Sequence, residues 1–206
     1  MYNQERDLKF WGRTASIYDV FMKKDKVVYD RLGYEIRKVL RPDMEVLELA
    51  AGTGLVSVRI AGGCKFLTAT DYAEKMLTVL GHKKCPPNMR IEQADAANLQ
   101  YRDKRFDAVV ISNALHIVPK PELVLQNIAR VLKDDGILIA PTFMRGDSPR
   151  EKFMEKLMDM VGLHTYSPWQ PDEYMGFIAD QGWGIINDTV IKASFPIAFV
   201  IAGKRP

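Results

Sequence analysis

Cysteine and histidine are scarce in this chain of 206 residues, which has two of the first and three of the second. Cys64 and Cys85 cannot by themselves make a disulfide framework or a four-ligand zinc site. His82, His116 and His164 are scattered and lack metal-ligand spacing, so no metal site is expected. No uninterrupted apolar run is long enough to span a bilayer. The N-terminus, MYNQERDLKFWGR, is charged and has no apolar stretch of the secretory kind. A strong excess of one charge is also missing, with 29 Lys and Arg against 26 Asp and Glu for a net charge of +3. A nucleic-acid partner would leave a larger basic footprint, so none is expected. Residues 1–45 carry ten basic and eight acidic side chains, a balance that gives no argument for stable membrane association. These absences together predict a soluble, cytoplasmic protein. Nothing in the sequence sets its oligomeric state.

What is present is ordinary globular material. Hydrophobic residues make up 47% of the chain and charged residues 27%, which excludes disorder and low-complexity readings. The length suits one compact domain. From Glu45 onward, short apolar runs alternate with helical patterns, the signature of a parallel sheet covered by helices. The runs are Glu45–Leu49, Lys65–Asp71, Met89–Gln93, Phe106–Ser112 and Gly136–Thr142. Pro121–Leu132 reads as the clearest helix, with proline in its first turn. Tyr29, Leu32, Ile36, Val39 and Leu40 form an apolar stripe ahead of Pro42, which predicts an N-terminal helix packed on the sheet. Phe153, Leu157, Met158 and Val161 form a further stripe that ends near Gly162, after a polar linker over 144–151. Another helix is expected from Pro171 to Gln181. Two runs near the C-terminus, Trp183–Ile191 and Phe195–Ala202, are separated by three residues only, too few for a crossover, and must therefore be antiparallel. The expected fold is α/β: a Rossmann-like three-layer α/β/α sandwich around a seven-stranded, mostly parallel sheet with an antiparallel C-terminal hairpin. Residues 1–44 would form a helical lid or substrate segment, and 45–206 the catalytic domain.

The strongest local signal is Val46-Leu47-Glu48-Leu49-Ala50-Ala51-Gly52-Thr53-Gly54, where the first strand turns toward a helix. Gly52 and Gly54 allow close backbone approach, and a helix N-terminus offers free N–H groups. In an open α/β sheet such a turn binds a nucleotide-like ligand or is simply tight. Asp71 ends the second strand, one strand–helix–strand unit after Glu48. Its carboxylate can accept both hydroxyls of a ribose, or cap the helix that follows. Asp95-Ala96 follows the third strand. A carboxylate there can accept from an exocyclic amine while the next N–H reaches a ring nitrogen, a pairing that reads adenine. All three features fall at carboxyl ends of strands, where open α/β sheets bind ligands.

These residues resemble the class I S-adenosylmethionine-dependent methyltransferases, in particular the small-molecule "type 11" group. VLELAAGTGLVS resembles the acidic-x-Gly-x-Gly-x-Gly motif, with Ala50 in place of its first glycine. TATDYAEKML and EQADAANL resemble the ribose and adenine segments, and FDAVVISNALHIV and NIARVLKDDGILI the fourth and fifth strand regions, Asp134-Asp135-Gly136 departing from the usual Pro-Gly-Gly turn. The resemblance implies S-adenosyl-L-methionine as cofactor and a small-molecule methyl acceptor as partner. It implies that Glu48 orients the methionine amino end, that Ala50, Gly52 and Gly54 lie against the ligand, and that Asp71 takes the ribose. Tyr72 would lie beside the adenine, Asp95 and Ala96 would read it, and Asn113 would lie near the methionine. FWGRTASIYDVF resembles the group's N-terminal helix, which places Tyr18 over the cofactor.

A sulfonium methyl is already activated, so methyl transfer needs mainly an acceptor held in line and water excluded. His116, past the fourth strand, is the candidate base if the acceptor carries a proton. Acceptor contacts are expected from Trp11, Tyr18, Phe143, Arg145 and Trp169, with Phe21, Tyr166 and Tyr174 in the same regions. Two rivals share the glycine turn. One is an NAD(P)-dependent reductase, whose Tyr-x-x-x-Lys spacing occurs only at Tyr34 and Lys38, ahead of the turn. The other is a non-catalytic S-adenosylmethionine-binding regulatory protein.

Overall fold

The computed structural model describes residues 4–146, 164–193 and 195–205. The apolar stripe over 153–161 and most of the linker over 144–151 lie outside the described residues. Five runs become parallel-type strands: β1 Glu45–Leu49, β2 Phe66–Asp71, β3 Met89–Gln93, β4 Phe106–Ile111 and β5 Leu132–Ile139. A two-residue β6 (Thr142–Phe143) and the long β7 (Trp183–Ile191) and β8 (Ile197–Lys204) complete the sheet. β1 lies between β2 and β4, all three parallel, with β3 beyond β2 and β5 beyond β4. β8 runs antiparallel to β5 and pairs with β7 on its other side, so the terminal hairpin forms as expected.

The sheet has eight strands rather than seven, and the difference is small in physical terms. β5 pairs Ile139 with Ile201 and β6 pairs Thr142 with Ala198, one uninterrupted register along the same edge of β8. Ala140 continues the ladder by donating its N–H to the Val200 carbonyl. Only Pro141, which has no N–H, interrupts it. β5 also begins earlier than Gly136. It leaves its helix directly at Leu132, and its pairing with β4 jumps from Leu132 to Ile137. The Lys133–Gly136 stretch, with the Asp-Asp-Gly departure, is thus taken up by a wide irregularity at the strand's start.

Helices α1 (Gln4–Met22), α2 (Lys26–Val39), α3 (Ser57–Ile60), α4 (Glu74–Gly81), α5 (Pro121–Val131) and α6 (Pro171–Asp180) surround the sheet. Strand side chains alternate between its faces. Val46, Leu67, Val110 and Phe199 pack with Leu32, Ile36 and Ile60 of α2 and α3. Leu47, Val109, Leu138 and Val200 face the other way, onto Leu125, Ile128 and Ile178 of α5 and α6. The three-layer arrangement follows from this double-sided burial. α1 packs outside these layers, through Leu8, Trp11, Ala15 and Tyr18 against Ala73 and Met76 at the start of α4.

α6 opens with a capping box: Gln170 and Glu173 bond one another's backbone, followed by Pro171 at the first helical position. Its Tyr174 is fully buried, and its hydroxyl donates to the Ala140 carbonyl at 2.8 Å. This ties α6 to the point where β5 passes into β6. Tyr174→Phe should therefore lower unfolding stability by about 1 kcal/mol, leaving an unpartnered buried carbonyl. Urea denaturation with unchanged slope is the check.

Candidate active site

The reversal of strand order at β1 opens a crevice at the carboxyl ends of β1 and β4. A cavity of about 360 Å³ lies there. Glu48, Ala50, Gly52, Asp71, Tyr72, Asp95, Ala96 and Asn113 all line it, as do Trp11 and Tyr18 of α1. Residues spread over half the chain are thus brought to one space.

The turn after β1 is held in an unusual conformation. Ala50 (φ 52°), Gly52 (φ 56°) and Gly54 (φ 80°) all occupy the left-handed region. A Cβ on Gly52 would meet nothing within 4 Å, so its backbone lies open to the cavity. Gly54 faces inward instead, where a Cβ would run into the Leu80 side chain of α4. Gly54 is therefore a packing glycine and does not line the cavity. Alanine at 50 holds a conformation that costs about 1–2 kcal/mol without glycine's freedom.

Asp71 fixes this turn. One carboxylate oxygen accepts from the Gly52 N–H and the other from the Ala73 N–H, each at 2.8 Å. The expected capping role is not met, since Ala73 is the N-cap of α4 and no side chain caps it; Asp71 instead braces the turn before the helix, and it lines the cavity. Burial pushes its pKa up, against the pull of the Ala73, Gly52 and Tyr72 amides. Asp95 makes a similar local turn, accepting from the Ala97 N–H at 2.8 Å.

Glu48 is only 1% exposed, and its Oε2 has no hydrogen-bond partner. Burial, with a smaller contribution from Asp71, raises its pKa to about 8, and the nearby Ser57 hydroxyl works the other way. Ser112 Oγ and Asn113 Oδ1, at the end of β4, are also buried without partners. The three residues that carry these orphaned oxygens, at the end of β1 and just after β4, line one cavity. Such groups are costly unless something satisfies them. Their chemistry fits a ligand that carries an ammonium donor.

α1 closes the other side. Thr53 of the glycine turn donates to Asp19, and Lys83 forms an ion pair with the same carboxylate. Tyr18 and Tyr29 are neighbours, and burial raises both phenol pKa values. Tyr29 lines the cavity although its sequence stripe reads as core packing alone. Asp7, Lys120 and Ile117 line it too. No local pattern marks these residues, because α1 and the turn after β4 reach the cavity through tertiary packing.

Besides Gly54, four expected site residues lie outside the cavity lining. The His116 Nδ1 lies 2.7 Å from the Thr142 hydroxyl, and the ring meets Phe143 edge-on. Burial lowers its pKa to about 4, so the ring is neutral near pH 7. It is not among the cavity residues. Phe143 packs between His116 and Phe195. Trp169 stacks on Phe177 of α6, its centroid 4.7 Å away, and its carbonyl accepts from the Arg145 N–H. None of Phe143, Arg145 and Trp169 lines the cavity. Phe143 lies in β6 and packs on the α2–α3 side of the sheet, while Trp169 packs on the α5–α6 side, placements that sequence spacing does not locate. Phe21 is exposed on α1, and Tyr174 is core.

Fold and crevice together define a doubly wound ligand-binding α/β protein. A family profile described as "Methyltransferase domain" matches residues 47–140. The demethylmenaquinone methyltransferase of Paenarthrobacter aurescens is 34% identical over 174 residues, 78% of this chain and 68% of that one. The chain belongs to the class I S-adenosylmethionine-dependent methyltransferases. The demethylmenaquinone methyltransferase of Clavibacter sepedonicus is 39% identical over 100 residues, 48% of this chain. The chain spans about half the length, or less, of several curated relatives it matches, 40% of the Clavibacter protein. In fold, it superposes on the DhpI–SAH complex with TM-score 0.76 at 20% identity, covering 98% of this chain and 97% of the other.

Because Glu48 binds its proton more tightly when folded, the folded chain holds more protons than the unfolded one between the ordinary carboxyl pKa and about 8. Its burial therefore destabilises the ligand-free protein progressively as pH rises through that window. Glu48→Gln should raise the unfolding free energy by a gain on the order of 2–4 kcal/mol at alkaline pH, and much less near about pH 4. Urea titrations at both pH values check the sign.

Proposed function

We propose that the chain transfers a methyl group from S-adenosylmethionine to a small-molecule acceptor by in-line displacement. The observation that carries this reading is that Glu48, a buried carboxyl group with an unpartnered oxygen, lines the same cavity as Asp71 and Asp95. Glu48 would take the ammonium of the methionine part, with Asn113 and Ser112 beside it. Asp71 keeps its two backbone amides and has lone pairs left for ribose hydroxyls. Asp95, Ala96 and Tyr72 would hold the adenine end, and the open backbone at Ala50–Gly52 would lie against the middle.

The bound sulfonium supplies an activated methyl group. The chain's own contribution is position and the exclusion of water. α1 supplies Leu8, Trp11 and Tyr18 to the cavity wall, and in this reading residues 1–44 would act as a lid or substrate segment on a methyltransferase domain at 45–206. The acceptor would enter between α1 and the Ile117–Lys120 turn. This reading assigns His116 no role, since its Nδ1 is engaged with the Thr142 hydroxyl and the residue does not line the cavity. Relatives named for demethylmenaquinone methylation favour a small, partly apolar acceptor here as well. The cavity's apolar walls at Leu8, Trp11, Met76 and Val118 suit such a molecule.

The experiment is calorimetric titration with S-adenosylmethionine, followed by incubation of the purified chain with labelled donor and small-molecule extract. Transfer of label supports the proposal. Binding with no transfer to any component would favour the regulatory reading, and tight NADH binding instead would favour the reductase. Asp71→Ala should weaken donor binding by more than about tenfold, from the loss of two charge-assisted hydrogen bonds. An unchanged affinity would remove Asp71 from the site.

A further inference from the structure

α1 has two dissimilar faces. Leu8, Trp11, Ala15 and Tyr18 point inward, onto α4 and the cavity. The exposed residues from 6 to 27 are Arg6, Lys9, Arg13, Ser16, Ile17, Val20, Phe21, Lys23, Lys24, Lys26 and Val27. Six are basic, four are apolar and none is acidic. The apolar ones are well exposed: Val20 at 72%, Phe21 at 66% and Val27 at 76%.

The near balance of charge across residues 1–45 conceals this separation. Asp7 and Asp19 of α1 are both engaged by neighbouring elements. Asp7 accepts from the Tyr166 hydroxyl, and Asp19 is engaged by Thr53 and Lys83. The basic side chains stay outside. Lys26 pairs with Asp30, an exposed acid one turn further along α2, and Arg6 lies 3.8 Å from Asp7. Ile17, Val20 and Phe21 share one helix face by their spacing. Lys23, Lys24 and Lys26 then border them at the turn between α1 and α2.

We propose that this outer face of α1, with the following turn, docks the protein reversibly on an anionic lipid surface. An apolar patch bordered by Lys23 and Lys24, with no exposed acid among residues 6–27, complements such a surface in both respects. Val20 and Phe21 would enter the headgroup boundary while the lysines meet lipid phosphates. No described helix is long and apolar enough to cross a membrane, so the contact is peripheral. It does not depend on the methyl-transfer reading, since docking is measured without donor or acceptor.

The test is co-sedimentation of the full chain with phosphatidylcholine vesicles and with vesicles that also contain phosphatidylglycerol. The anionic vesicles should bind at least about tenfold more tightly, from roughly 1 kcal/mol per basic residue near the surface, and high salt should abolish the difference. Lys23→Ala with Lys24→Ala should remove most of that preference. Phe21→Ser with Val20→Ser should weaken binding severalfold while leaving the melting temperature and S-adenosylmethionine affinity unchanged. Equal binding to neutral and anionic vesicles, or none to either, would overturn the proposal. So would light scattering that shows a stable dimer dispersed by Phe21→Ser, since a second copy would then cover the patch.

Discussion

The Asp71 carboxylate, held between the Gly52 and Ala73 amides, joins the turn after β1 to the turn after β2. Everything at the crevice is positioned from this clamp. It braces the turn whose Ala50, Gly52 and Gly54 take left-handed backbone conformations. It places a second buried carboxyl near Glu48 and adds to the rise in that group's pKa. The Thr53 hydroxyl, carried by the same turn, anchors α1 through Asp19. One side chain therefore couples the sheet, the glycine turn and the helix that covers the cavity.

The clamp also explains how a stable fold carries an unsatisfied site. Double-sided burial of β1 and β4 by the α2–α3 and α5–α6 layers supplies most of the hydrophobic stabilisation. That reserve allows Glu48, Ser112 and Asn113 to keep oxygens without partners. Polar groups left in this state are an energetic debit that a ligand can reverse.

The crevice residues were legible in the sequence because their signals are local. A glycine turn, an acid closing the next strand and an Asp-Ala after the third have fixed places on a repeating strand–helix unit. The same logic locates the strands and the terminal hairpin, whose short connection leaves one geometry. Legibility fails where position depends on distant packing. His116, Phe143 and Trp169 carry suitable chemistry, yet the β6–β8 pairing and the Trp169–Phe177 stack hold them away from the cavity. Tyr29 fails in the opposite sense, since an apolar stripe conceals that one of its members reaches the cavity. Gly54 answers to the motif, but its missing side chain accommodates Leu80.

Ala50 has a consequence of its own. A glycine at this place would wander among many backbone shapes before any ligand arrives. Alanine samples fewer, and here it is already held in the uncommon one that the turn requires. The recognition loop is thus set in advance by covalent structure and the surrounding fold. A molecule entering the crevice has less disorder to quench, so its grip begins from a surface already in shape.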